Sequence, residues 1–227
     1  MVRHLDREVE RLKKLILSLC AVVEGSVQRA VQAVQMRNAE LGEQVIARDE
    51  EIDQMEVDVE EEGLKILALY QPVATDLRYV IAMLKINNDL ERIGDEAVNI
   101  AERAVYLAQT RPADISFDFV VMAEKTQAML RHSLDALVNH DTDLARAVGL
   151  ADDEVDELNR HMYRTVQAAI RQRPEEVECL IHMLSISRHL ERIADYATNI
   201  AEDVIYLIDG EIVRHRPEAF VLPAGKH

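Results

Sequence analysis

Apolar side chains recur at helical spacing along almost the whole chain, three to four residues apart and on one face at a time. The pattern predicts six helices. The first runs from about Asp6 to Arg37, and Asn38 is placed to cap a second that continues to Tyr70. Gln71-Pro72 interrupts the pattern, and a third helix follows from Ala74 to Gln109. A fourth spans Phe117 to Val138, and Asp141 caps a fifth that ends near Arg171. Pro174, Glu175 and Glu176 suit the first turn of a sixth, which reaches Ile208 before Gly210. Within the third helix Tyr79, Ile86, Ile93, Ile100 and Leu107 fall seven apart, and Cys179, Ile186, Ile193, Ile200 and Leu207 repeat the spacing in the sixth. Val45, Ile52, Val59 and Ile66 form a facing stripe on the second. Seven-residue stripes of this length call for nearly aligned helices crossing at about 20°.

The two halves are copies. The stretch Leu90–Leu107 aligns without gaps on Leu190–Leu207 and matches at 12 of 18 positions. Upstream, Ile81, Met83, Leu84 and Ile86 match Ile181, Met183, Leu184 and Ile186, and the acidic run 49–53 corresponds to 152–156. The expected architecture is therefore all-α, with two tandem three-helix bundles related by internal duplication. Arg111-Pro112-Ala113-Asp114 reads as the linker, giving a first bundle over 1–113, a second over 114–216 and a flexible tail over 217–227.

Composition supports a folded helical protein: 48% of residues are hydrophobic, while glycine (7) and proline (5) are scarce. The 42 acids against 26 bases leave a net charge of −16, which opposes binding to nucleic acid or anionic lipid and favours cations or a basic partner surface. Cys20 and Cys179 lie inside helical patterns and read as reduced core thiols. The apolar runs Ile16–Leu19 and Ala21–Val23 are too short to span a bilayer, and no signal peptide is visible at the start. The chain is expected in the cytoplasm, meeting a membrane only through partners.

The chemistry of interest lies beside the core stripes. On the third helix Glu91, Asp95, Asn99 and Glu102 fall within an arc of about 80°, opposite Ile93 and Ile100, and Glu191, Asp195, Asn199 and Glu202 repeat this on the sixth. Asp49 and Asp53 on the second helix, and Asp152 and Asp156 on the fifth, sit four apart beside the apolar stripe. Each half thus presents two carboxylate pairs able to face one another across a groove. Like charges at this spacing destabilise a helix by about 0.2–0.5 kcal/mol, and four converging on a groove cost more unless protons or a cation neutralise them. An all-oxygen ligand set suits hard cations, namely iron, manganese, magnesium or calcium, ahead of zinc or nickel. The alternative is a solvated acidic face balanced by Lys85, Arg92, Arg188 and Arg192. Histidine does not extend the set: His189 lies about 160° round the helix from Glu191, and His4, His161 and His182 lack a second ligand at ligand spacing.

Three further motifs carry a family resemblance. Gln71-Pro-Val-Ala-Thr-Asp-Leu-Arg78 with Leu90-Glu-Arg-Ile-Gly-Asp95, then His189-Leu-Glu-Arg-Ile-Ala-Asp195, and the ending Gly210-Glu-Ile-Val-Arg-His215, resemble in order the signatures of the PhoU family. The resemblance covers about residues 4–216. It implies two three-helix bundles, often dimeric, with metal clusters held by the motif E(D)xxxD. By position the ligands are Asp49, Asp53, Glu91 and Asp95 in one half and Asp152, Asp156, Glu191 and Asp195 in the other. Asn99, Glu102, Asn199 and Glu202 follow as second choices. The implied role is non-enzymatic: negative regulation of the phosphate-starvation response, linking a phosphate ABC transporter ATPase to a sensor histidine kinase. Tyr196 departs from the family pattern, where histidine is common. Two other readings compete, a ferritin-like di-iron enzyme and a metal-free helical scaffold. The first needs Glu-x-x-His pairs, whereas Glu157/His161 and Glu178/His182 are four apart. No nucleophile–base pair, glycine-rich phosphate loop or Cys-x-x-Cys motif appears, so catalysis is not expected.

Overall fold

The structure, a computed structural model, describes residues 2–113, 119–214 and 220. Helices α1 (Val2–Met36), α2 (Ala39–Ile46), α3 (Asp49–Tyr70) and α4 (Ala74–Gln109) make the first bundle. Helices α5 (Phe119–Asn139), α6 (Thr142–Gln172) and α7 (Val177–Asp209) make the second, with a 3₁₀ turn at Pro174–Glu176 leading into α7. The expected start of the fourth helix at Phe117 lies outside the described residues, as does the tail apart from Phe220.

The turns repeat between halves as the duplication requires. Arg37 and His140 take left-handed backbone (φ 50° and 54°), and the next residues, Asn38 and Asp141, cap the following helices by accepting from the amides of Leu41 (3.1 Å) and Leu144 (2.9 Å). One difference from expectation lies in the second helix, which is interrupted at Ala47–Arg48. There Arg48 N–H reaches the carbonyl of Val45, and Glu51 N–H that of Arg48, so the ladder tightens for one turn and restarts. The restart puts Asp49, Glu50 and Glu51 in the first turn of α3, where the helix dipole favours negative charge. In the second half α6 runs through the same place unbroken.

The apolar stripes bury as their spacing requires. Ile86, Ile93 and Ile100 on α4, Ile186, Ile193 and Ile200 on α7, and Val45, Ile52, Val59 and Ile66 opposite α4 are all buried. Full burial of such a side chain contributes roughly 1.5–3 kcal/mol. One apolar core runs continuously through both bundles. It is continuous because α4 and α7, the central helix of each half, pack against each other along much of their length. Pairs such as Lys85 with Asp203 and Glu96 with His189 show that the two cross antiparallel.

Helix α1 corrects one expectation. Its individual apolar runs are short, but the helix over His4–Met36 is long and apolar enough to span a bilayer by length and composition. Leu12, Ile16, Leu19, Val23 and Val27 account for that apolarity, since all are packed in the core. Cys20 and Cys179 are free and buried, and burial pushes the Cys20 thiol up to about 12.

Candidate metal centres

In each half the two carboxylate pairs face one another across a helix groove. In the first, Ile52 on α3 packs at Gly94 on α4, where an added Cβ would stand 3.1 Å from Ile52 Cγ2. That close approach carries Asp49 and Asp53, which flank Ile52, toward Glu91 and Asp95, which flank Gly94. The second half exchanges the residues for Val155 and Ala194, both fully buried, one methylene moving from one helix to the other.

The acidity of the groups registers their proximity. Asp49 is raised by partial burial and then by the charges of Asp53 and Asp95. Glu91 is raised by burial, Asp95 and Glu56, and Asp95 by burial, Asp53 and Glu96. The effect is stronger in the second half. Burial, Asp195, Asp156 and Asp153 push Asp152 up to about 6, and burial, Glu191 and Asp156 do the same to Asp195. Glu191 rises through burial, Asp156 and Asp152. These are carboxylates crowded by carboxylates.

The expected bases balance them only in part: Arg92 lowers Glu91 and Asp95, Arg192 lowers Asp95, Glu191 and Asp195, and Arg188 lowers Glu191. Yet several of these bases make their closest contacts elsewhere. Lys85 Nζ binds Asp203 at 3.0 Å, Arg192 Nε binds Glu96 at 2.9 Å, and the Arg92 guanidinium lies 6.0 Å from the Tyr196 ring centre. Of the eight first-choice carboxylates only Asp156 makes an ion pair among the described residues, with Arg160 at 3.4 Å. The donor set, hard oxygens of which most make no ion pair within 4.0 Å among the described residues, fits a hard cation. The side chains as they stand do not converge: among the described residues no three Asp, Glu, His or Cys groups form a ready-made cage. Binding an ion therefore requires rotamer changes that draw the carboxylates inward.

The four second-choice ligands have other partners or neighbours. Asn99 Nδ2 donates to the carbonyl of Asp95 at 2.9 Å, and Glu102 pairs with Arg103. Asn199 and Glu202 line a cleft with Lys85, Asp89, Arg92 and Arg214 at the α4/α7 crossing. Two residues were missed from sequence. Glu56 on α3 is raised by burial, Glu60 and Asp53, so it borders the first cluster. Glu96 is buried at the crossing, bound by both His189 and Arg192. The signal for Glu96 was a mismatch in the duplication, since Tyr196 stands in its place in the other half.

Two stretches of the chain, residues 16–104 and 119–204, match the family model described as PhoU domain. The chain belongs to the PhoU family. Among PhoU relatives, the phosphate-specific transport system accessory protein PhoU homolog of Aquifex aeolicus is 40% identical over 212 residues, covering 93% of this chain and 96% of its own. The crystal structure of PhoU from Pseudomonas aeruginosa superposes with a TM-score of 0.86 at 36% identity, over 91% of this chain and 99% of that one. That of the phosphate transport system regulatory protein PhoU from Streptococcus pneumoniae gives 0.81 at 29%, over 92% and 99%. The tandem PhoU repeats coincide with the two bundles, and the acidic clusters fall inside both matched stretches.

Proposed function

We propose that this PhoU protein is a non-enzymatic regulator of phosphate uptake that binds metal at its two acidic clusters. It represses the phosphate-starvation response by bridging a phosphate ABC transporter ATPase and a sensor histidine kinase. The relatives' names, which make them accessory or regulatory proteins of phosphate transport, support the role. The observation that carries the metal reading is the pair of crowded carboxylate clusters, seven of whose eight members make no ion pair within 4.0 Å among the described residues. The ligands are Asp49, Asp53, Glu91 and Asp95, then Asp152, Asp156, Glu191 and Asp195. Iron, manganese, magnesium or calcium would neutralise them and rigidify the α3–α4 and α6–α7 grooves. The protein works in the cytoplasm as a homodimer, reaching the membrane through its partners.

The test has two parts. Protein purified without a histidine tag is assayed for metal, alongside the Asp95→Ala/Asp195→Ala double variant; stoichiometric metal lost in the variant is expected. Co-purification with the transporter ATPase and the kinase is then measured at high and low phosphate. Capture of neither partner in either condition overturns the bridging role.

A further inference from the structure

The cleft at the α4/α7 crossing lies apart from the eight candidate metal ligands, none of which lines it. It has a volume of about 450 Å³ and draws on three elements: α4, α7 and the segment that follows α7. On a surface of net charge −16, three bases converge there, Lys85, Arg92 and Arg214.

Each base is rooted but has donors to spare. Lys85 is held by Asp203, whose side chain is only 4% exposed, at 3.0 Å, and its Nζ lies 5.1 Å from the centre of the Tyr206 ring. Arg214 follows Val213, which is buried in the core. Its guanidinium stands 3.8 Å from Asp203 and 3.9 Å from Glu202, beyond hydrogen-bond length, so its five N–H groups are underused. Arg92 makes no ion pair within 4.0 Å among the described residues. Asn88 adds a neutral amide donor, and Asn199 is hydrogen-bonded to Asp89 and steadies that carboxylate. A cation suits this wall of donors poorly, because the acids nearest the bases are already matched by them.

We propose that the cleft binds a small phosphate group that still carries a hydroxyl, with inorganic hydrogenphosphate as the prototype. Arg92 and Arg214 take its charged oxygens, Lys85 adds a third positive contact, and Asn88 donates to a remaining lone pair. The carboxylates of Asp89 and Glu202 accept the P–OH hydrogen. That mixture of donors and acceptors sets the selectivity. Sulfate has the same shape and no hydrogen at neutral pH, so it meets the two carboxylates with repulsion alone. The three bases are offset by Asp89, Glu202 and Asp203, so discrimination comes from matched hydrogen bonds more than from bulk attraction. A bound phosphate touches both bundles and the segment after α7 together. The site goes beyond the metal reading and does not depend on it.

The test is calorimetric titration of the full chain, dialysed free of phosphate, with potassium phosphate, potassium sulfate and AMP at matched ionic strength and pH 7. Saturable phosphate binding is expected, weakened at least about tenfold by Arg92→Gln and by Arg214→Gln, each the loss of a charged hydrogen-bond donor. Both residues are exposed enough for the variants to keep the parent melting midpoint, and Arg214→Gln also keeps the parent metal content, which separates failure here from failure of the metal centres. Sulfate is expected at least about tenfold weaker than phosphate, and Asp89→Asn to narrow that gap. AMP, whose phosphate has mostly lost its P–OH hydrogen at pH 7, is expected weaker than phosphate; AMP binding as tightly as phosphate overturns the hydroxyl-based selectivity. No binding of phosphate up to about 10 mM overturns the site. So does indifference to both arginine variants, or sulfate binding as tightly as phosphate.

Discussion

His189 Nδ1 stands 2.5 Å from Oε2 of Glu96, joining α7 to α4 at the crossing of the two bundles. Glu96 is almost wholly buried, and its other oxygen takes Arg192 Nε at 2.9 Å. Each bundle therefore supplies half of one buried polar joint.

Glu96→Gln keeps the size of the side chain and removes its charge, leaving Arg192 and His189 short of an acceptor. The expected loss is about 2 kcal/mol, in the range for hydrogen bonds to charged groups. Urea unfolding measures it, and combining the change with His189→Gln should cost less than the sum of the two. Simple additivity would show that the contact carries no energy.

The acidic clusters give stability an inverted pH dependence in metal-free protein. Asp152 and Asp195 are raised from the usual aspartate value of 3.8 to about 6. Between those values the folded state holds protons that the unfolded chain has released, so stability rises as pH falls from 7.5 through 6 toward 4. The melting temperature of chelator-treated protein should follow that direction, and Asp152→Asn should flatten the slope. Added manganese or calcium should raise the melting temperature more at pH 7.5 than at pH 5, since protons and cations compete for the same oxygens.

Gly94 and Ile52 fit as one unit. An added Cβ at Gly94 meets Ile52 Cγ2 at 3.1 Å, so Gly94→Ala should cost about 1–2 kcal/mol through overpacking. The second half already contains the solution, Ala194 with Val155. Adding Ile52→Val to Gly94→Ala should return most of the loss, read again by urea unfolding. A double variant no better than Gly94→Ala alone would break the proposed equivalence.

His140 occupies left-handed backbone with an exposed side chain, a conformation that costs a non-glycine residue about 1–2 kcal/mol. His140→Gly relieves it against the greater chain entropy of glycine, about 0.5–1 kcal/mol. A small net gain in thermal stability is expected. The equivalent change at Arg37 should not help, because the Arg37 guanidinium donates to the carbonyls of Leu107 and Thr110.

What was legible in the sequence was what repeats. The seven-residue stripes put Ile86, Ile93 and Ile100 in the core, and the duplication located both carboxylate clusters, because each signal recurs within one helix or between copies. What stayed hidden depends on how helices cross. No periodic rule sets residue 96 beside residue 189; only the antiparallel packing of α4 on α7 does. The interruption at Ala47–Arg48 was hidden too, since both are good helix formers and packing overrides propensity there. Angular position alone grouped Asn199 and Glu202 with Asp195, yet they serve the α4/α7 cleft, because a long helix contacts different neighbours along its length.

The continuous core has a consequence for dissection of the chain. Cutting at the linker would strip α4 of α7 and leave Glu96 without His189 and Arg192, so neither piece should keep the compactness of the whole. Co-expressed, residues 1–113 and 114–227 should find each other and restore one cooperative melting transition, behaving as a two-fold assembly that happens to be threaded on a single polypeptide.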